Sequence, residues 1–179
     1  MRVLVQEVLE ASVKIDGQTV GAIQRGFLLF VGFEEGDDET TIRKMVDKVL
    51  KLRIFPDENG KTNKSLADVG GGVLSISQFT LYANTKEGNR PSFIEALRPE
   101  LSKPLFALWN NELREKIPNL QTGVFGADMK VSLINDGPFT LYLDSDELFG
   151  RKACRQLGFE GIRCHNGRKR QRKHLSQGQ

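Results

Sequence analysis

The sequence predicts an α+β fold in one domain, on three observations. Short runs that alternate apolar and polar residues fill the first part of the chain, the pattern of half-buried strands. Two longer stretches, near residues 39–52 and 103–116, repeat their apolar residues at helical spacing. Strand-like sequence then returns after residue 128. Strands around residues 26–33, 73–79 and 128–143 must therefore share one core, with the helices outside it. A length of 179 residues fits one such domain, or one domain and an extension.

In order, Val3-Leu4-Val5-Gln6-Glu7-Val8 reads as the first strand. Ala11-Ser12-Val13-Lys14-Ile15 alternates, and Asp16-Gly17 makes a hairpin turn into Thr19-Val20-Gly21-Ala22-Ile23. Residues 26–33 form a continuous apolar run, expected of a strand covered on both faces. The acidic loop at 34–38 starts a helix whose apolar face is Ile42, Met45, Val46, Val49 and Leu50. Leu52-Arg53-Ile54-Phe55 is a short strand closed by a turn at 56–60, and Asn63, Lys64 and Ser65 fall in a loop. Gly70-Gly71-Gly72 leads into a strand at 73–76. After a polar loop at 84–91, Ser92 is placed to cap a short helical piece over 93–97. The second long helix starts at Pro99 or Lys103 and buries Leu105, Leu108, Trp109 and Leu113. It tolerates Pro104 only in its first turn and ends before Pro118. Two closing strands, 128–134 and 139–143, are joined by Asn135-Asp136-Gly137-Pro138.

The charge is uneven. Residues 151–179 carry nine bases against Glu160 alone, a net +8, which leaves −5 for residues 1–150. A mildly acidic body (1–148) is therefore expected to bear a basic, poorly ordered extension (149–179). No apolar run approaches a membrane span, and the start lacks a secretion signal. Cys154 and Cys164 both lie in the extension, so no disulfide framework holds the body. A cytoplasmic protein is the expectation. Within the extension, Cys154, Cys164 and His165 lack the paired spacing of a metal site. Its run from Arg168 to Lys173 either binds RNA phosphates or is simply solvated.

Two stretches carry chemistry. Ser77, Gln78 and Thr80 place polar side chains at the end of an apolar strand. Such groups are either bonded into the fold or kept for a ligand. Asn135-Asp136-Gly137-Pro138 is built of turn formers, so a plain turn is its simplest reading. A Gly-Pro bond can also be cis at modest cost, and glycine lets another molecule approach the backbone.

Ser77-Gln78-Phe79-Thr80 matches S-Q-x-x-T, and Asn135-Asp136-Gly137-Pro138-Phe139-Thr140 matches N-x-G-P-x-T. The pair, in this order and at about this separation, resembles the D-aminoacyl-tRNA deacylase family. Leu52-Arg53-Ile54-Phe55, the Gly60-Lys61 turn, Gly88-Asn89-Arg90-Pro91-Ser92-Phe93 and Phe125-Gly126-Ala127-Asp128-Met129 add to the likeness, which spans residues 1 to about 145. The resemblance implies a mixed or antiparallel barrel-like sheet with helices outside, in a tight homodimer with the active site at the subunit interface. It implies hydrolysis of D-aminoacyl-tRNA, and of glycyl-tRNA, as chiral proofreading in translation, with tRNA as partner and no metal or cofactor. It implies Ser77, Gln78, Phe79 and Thr80 as the catalytic wall. Asn135, Gly137, Pro138 and Thr140 would form the chiral filter, a cis Gly-Pro pair inserted from the partner subunit.

The residue chemistry is compatible. Backbone N–H groups of Phe79 and Thr80 are candidates to stabilise a tetrahedral oxyanion. Thr80 could instead attack directly, but a nucleophilic hydroxyl needs a base, and both histidines, His165 and His174, lie in the extension. A Ser-His-Asp triad is thus excluded within the body, and no metal-ligand cluster is visible there. The alternatives are a non-catalytic RNA-binding module or an editing hydrolase of other specificity. One departure stands out: the family's Gln-Arg-Val is Gln6-Glu7-Val8 here, which reverses a charge and removes five donors. Arg53 and Arg90 are the candidates to supply the lost donor, and Lys86, Arg90 and Arg98 are candidate phosphate contacts beside the site.

Overall fold

One long strand organises the sheet. The computed structural model describes residues 1–150, and in it β1 (Arg2–Ile15) runs unbroken for 14 residues. Val3, Val5, Val8, Ala11 and Val13 are all buried along it, so the two strands expected from the sequence are one. Asp16 (φ 49°) and Gly17 (φ 77°) make a two-residue turn with both φ positive, which matches the strand twist and returns the chain into β2 (Gln18–Ile23).

Next come β3 (Gly26–Gly32), the helix α1 (Glu39–Leu50) and a small separate ribbon of β4 (Arg53–Pro56) and β5 (Thr62–Ser65). Asp38 caps α1 by accepting from the Thr41 N–H at 2.8 Å. Then follow β6 (Gly72–Ser77), a 3₁₀ turn (Phe79–Tyr82), α2 (Pro99–Arg114), β7 (Leu120–Thr122), β8 (Lys130–Asp144) and α3 (Ser145–Phe149). The main sheet runs β2-β1-β3-β6-β7, and β8 pairs along β1. β3 and β6 are parallel, as are β6 and β7, whereas the pairs of β1 are antiparallel. The sheet curls until β7 nears β2, where a Cβ on Gly21 would sit 3.3 Å from the Thr122 carbonyl. The result is a nearly closed, barrel-like mixed sheet.

Both faces of the sheet are covered. Phe27, Leu29 and Val31 of β3 face the helices and join Met45, Val46, Val49, Phe106, Trp109 and Leu113. Leu28 of β3 points the other way, to Leu74, Ile76, Val8 and Val13 inside the barrel. This is why residues 26–33 read as a continuous apolar run. β3 and β6 approach closely at one point: a Cβ on Gly26 would lie 1.9 Å from the Gly72 carbonyl oxygen, so the contact admits only glycine.

Several expectations need correcting. Residues 93–97 form turns rather than a helical piece, and Ser92 pairs its backbone with Asn84 instead of capping. α2 begins at Pro99, so Pro104 lies in its interior, where its ring nitrogen leaves the Glu100 carbonyl without the usual partner. Asn63, Lys64 and Ser65, expected in a loop, belong to a strand, β5, which pairs with β4 and is tied to it where Arg53 donates to the Asn63 carbonyl. The expected boundary at 148/149 lies at the edge of the described residues, and the basic extension past Gly150 lies outside them, so that expectation is not among those corrected.

Candidate active site

β6 delivers Ser77 and Gln78 to the top of the sheet. The Gln78 N–H still donates to the Val31 carbonyl, at 2.7 Å, and the chain then winds into the 3₁₀ turn. Phe79 and Thr80 lead that turn, so their N–H groups have no acceptor inside it. Arg2 holds the turn from outside: it donates to the Leu81 carbonyl at 2.9 Å, pairs with Asp144 at 3.2 Å, and lies 4.2 Å from the Tyr82 ring centre. Tyr82 is fully buried, and burial pushes its phenol far above the usual range, helped by Glu34 and Asp37. The wall is therefore anchored to the core, while Phe79 itself is 57% exposed and meets Phe93 edge-on at 5.1 Å.

Ser77, Gln78 and Phe79 line one side of a cleft of about 630 Å³. Phe93, Arg98, Ser102, Phe125, Asp128 and Met129 are among the residues that complete it. The volume suits a ligand of nucleoside size. Of the three basic residues expected near the site, Arg98 lines the cleft; Lys86 and Arg90 do not. Thr80 is also outside the lining, and its hydroxyl oxygen accepts a hydrogen bond from the Gln78 amide. Gln78 and Thr80 are thus bonded to each other at the mouth of the turn. Phe93, Asp128 and Met129 stand in the sequence only within motifs that add to the family likeness; that they line one cleft had no signal, because the cleft draws them from separate loops.

The second stretch is not a link between two strands. β8 is continuous, and opposite Glu7 it bulges: Gln6 pairs with Thr140 and Val8 with Asn135, so one residue of β1 faces four of β8, residues 136–139. Asn135 closes the bulge with its amide, which donates to the Glu7 carbonyl and to the Phe139 carbonyl, each at 3.0 Å. Gly137 and Pro138 stand exposed at its tip. The expected cis bond is absent: no peptide bond of the described residues is cis, and Gly137 at φ 107° turns the chain instead. A trans bond is the lower-energy form for Gly-Pro, and a positive-φ glycine supplies the bend without a cis bond.

One chain does not bring the two stretches together. Ser77 lies in a row with Val31, Val3 and Leu143, whereas the bulge lies in the row of Glu7, Phe27 and Val73. The rows are four residues apart and the strands β6 and β8 three spacings apart, which places the stretches about 19 Å apart along the sheet.

Glu7 is 3% exposed, and burial raises its carboxyl above the usual range, with Asp136 adding and Arg25 opposing. Arg25 Nη2 lies 3.9 Å from the Glu7 carboxylate. Neither Arg53 nor Arg90 takes that place; Arg53 bonds Asn63 in the small ribbon. A raised folded-state value means that ionised Glu7 costs stability above that value, and the cost fades as pH falls through it. Glu7→Gln is therefore expected to melt higher than wild type at neutral pH, with the gap closing on acidification. Melting curves across pH check this; a gap that widened on acidification would contradict it.

The fold also makes a ligand cluster that the sequence hides: Glu34, Asp144 and Asp146 bring carboxylate oxygens within 4.8 Å of one another. The Met1 ammonium lies 3.6 Å from Glu34 and 2.6 Å from Asp37, and Arg2 pairs with Asp144, so cations of the chain already sit there. None of these residues lines the cleft.

The D-Tyr-tRNA(Tyr) deacylase family model matches residues 4–144. The chain belongs to that family. A D-aminoacyl-tRNA deacylase of Lactobacillus acidophilus is 61% identical over 144 residues, covering 80% of this chain and 99% of that relative. Among solved structures, a c-Myc DNA unwinding element binding protein superposes with a TM-score of 0.77 at 37% identity, covering 80% of this chain and 98% of that one. A probable eukaryotic D-amino acid tRNA deacylase superposes at 0.69 with 17% identity and the same coverages, a likeness of fold alone. Family membership agrees with the barrel-like sheet and with the order of the two stretches. Among the described residues, no helix is long and apolar enough to cross a membrane.

Proposed function

We propose that the protein hydrolyses the ester bond between a D-amino acid and the terminal adenosine of tRNA, releasing a free D-amino acid and a reusable tRNA. The observation that carries this reading is the wall of Ser77, Gln78 and Phe79 beside a nucleoside-sized cleft, in a chain of this family. The cleft receives the terminal adenosine, with the Phe79 and Phe93 rings offering stacking faces and Arg98 a cation. The leading N–H groups of Phe79 and Thr80 stabilise the oxyanion that forms as the ester carbonyl is attacked. The body carries no histidine, and Thr80 has its hydroxyl oxygen engaged by Gln78, so water and the tRNA 2′-hydroxyl do the attack and the proton transfer.

Selection requires a second copy. Gly137-Pro138 of one protomer faces the wall of the other in a homodimer, where it leaves no room for an L side chain but passes D-amino acids and glycine. Asn135 and Thr140 set the ends of this filter. The separation of the two stretches within one chain supports this arrangement. So do the exposed apolar side chains beside each, Phe79 and Ile94 at the wall and Ile134 and Tyr142 along β8. The reaction needs no metal or cofactor and belongs in the cytoplasm, where charged tRNA is.

Matched D-, L- and glycyl-tRNA offered to the purified full-length protein test the reading. The D and glycyl esters are expected to be cleaved and the L ester spared, with chelator leaving the rates unchanged. Equal cleavage of D and L esters would overturn the filter. Loss of activity on chelation, restored by zinc, would overturn the site.

A further inference from the structure

Two charged side chains line the cleft, Arg98 and Asp128. The Asp128 charge is answered within the chain: Lys130 Nζ donates to both of its oxygens, at 2.7 and 2.9 Å. Arg98 is exposed, and no ion pair of the described residues involves it. Its place is nevertheless fixed by backbone. The Gln78 N–H donates to the Val31 carbonyl at 2.7 Å, and the Leu97 N–H donates to the carbonyl of Phe33, just past β3, at 2.9 Å. Alternate carbonyls along a strand point to the same side, so Gln78 and Leu97 dock side by side on the end of β3, about 7 Å apart. Arg98 follows at once as the N-cap of α2, and its carbonyl accepts from the Leu101 and Ser102 N–H groups at 3.0 and 2.9 Å. A cation thus stands beside the wall, rooted in the same strand end and lining the same cleft.

The substrate supplies the missing anion. Residues 1–150 carry a net charge of −5, so a polyanion is drawn in only by local cations, and Lys86 and Arg90 lie outside the cleft lining. In an aminoacylated tRNA, the ester oxygen and the 5′-phosphate of the terminal nucleotide lie at opposite ends of one ribose. With the ester carbonyl at the Phe79 and Thr80 N–H groups, that phosphate is the first anion within reach of Arg98. A guanidinium suits it, since it offers paired donors to phosphate oxygens and stays charged at any working pH. We propose that Arg98 binds the 5′-phosphate of the terminal nucleotide, so that the enzyme distinguishes a nucleotide ester from an ester of free adenosine. This rests on the reading of the cleft as the seat of the terminal adenosine.

The test compares two small esters of one D-amino acid, on the ribose of 5′-AMP and on that of adenosine, which differ only in the phosphate. The full-length protein, Arg98→Gln and Arg98→Lys are assayed on both, and on D-aminoacyl-tRNA. Wild type is expected to favour the AMP ester about tenfold in kcat/KM, the lower end for a hydrogen bond to a charged group. Arg98→Gln should abolish that preference, and Arg98→Lys, which keeps the charge, should retain most of it. On tRNA, Arg98→Gln should raise KM more than it lowers kcat, and the slope of log KM against log salt should flatten by about 0.7, one phosphate contact on a single strand. A merely structural role would slow both small esters alike and leave the ratio at its wild-type value, which overturns the proposal. Equal rates on the two esters in wild type overturn it as well. A flatter salt slope on tRNA with the ester ratio unchanged would put Arg98 on a phosphate further along the strand, again against the proposal. If wild type cleaves none of the three D esters, the deacylase reading itself falls, and this one with it.

Discussion

Phe79→Pro is expected to lower kcat by about 10²- to 10³-fold, the loss usual for one oxyanion donor. Proline removes the N–H of residue 79 and nothing else from the backbone pattern, because that N–H leads the 3₁₀ turn and has no acceptor within it. The ring is lost as well, so Phe79→Ala is the control: it gives up the contact with Phe93 but keeps the donor. Thr80→Ala should keep most of the activity, since it removes a hydroxyl already engaged by Gln78 and leaves the Thr80 N–H in place. Single-turnover rates on D-aminoacyl-tRNA distinguish these. Near-total loss in Thr80→Ala with a mild effect of Phe79→Pro would make Thr80 the nucleophile.

Trp109→Ala is expected to destabilise the protein by about 3–5 kcal/mol, the range for deleting a large buried aromatic side chain. Trp109 is fully buried on α2, among the residues that join both helices to the sheet. Its indole N–H donates to Ser75 Oγ at 3.1 Å, inside β6 and just ahead of Ser77 and Gln78. Trp109→Phe keeps most of the volume and drops the hydrogen bond, leaving a buried hydroxyl to find a new partner, at about 1–3 kcal/mol. At about 2–4 °C of melting temperature per kcal/mol for a chain of this size, calorimetry separates the two. A fall of only a degree or two in Trp109→Ala would mean that α2 is not held through this residue.

Much of the fold is legible because local rules and tertiary structure agree. Asp16-Gly17 demands a tight hairpin, and the apolar stripe of α1 demands cover, which it finds in one core with β3 and α2. The misreadings come where a local signal was true but incomplete. Asn135, Asp136, Gly137 and Pro138 do turn the chain, yet β1 is long enough to pair on both sides of them, so the turn becomes a bulge within one strand. Pro104 does break a hydrogen bond, but α2 gains enough from burying Phe106, Trp109 and Leu113 to run through it. The short strands β5 and β7 carry too few residues for a periodicity and form because a neighbour is present.

The site divides the same way. The wall and the bulge were each visible as motifs. Their separation within one chain was not, since it follows from strand order and register. The approach of Arg25 to Glu7 gave no signal either: a lone arginine after a hairpin reads as solvated surface, and only the pairing of β1 with β3 brings it to Glu7.

The most direct measurement of a site shared between two chains uses variants that each fail for a different reason. Phe79→Pro spoils the wall of its own chain. Pro138→Trp plugs the cleft of whichever wall its bulge faces. Each alone should be inactive as a homodimer. A heterodimer of the two, isolated with distinct affinity tags, holds one site that combines the spoiled wall with the altered bulge and one site built from an intact wall and an intact bulge. If the filter comes from the partner, that heterodimer regains about half of the wild-type activity on D-aminoacyl-tRNA, one of the two equivalent sites. If wall and bulge of the same chain act together, the heterodimer shows no such recovery; if the bulge has no part in the site, the Pro138→Trp homodimer is itself active; either result contradicts the shared active site.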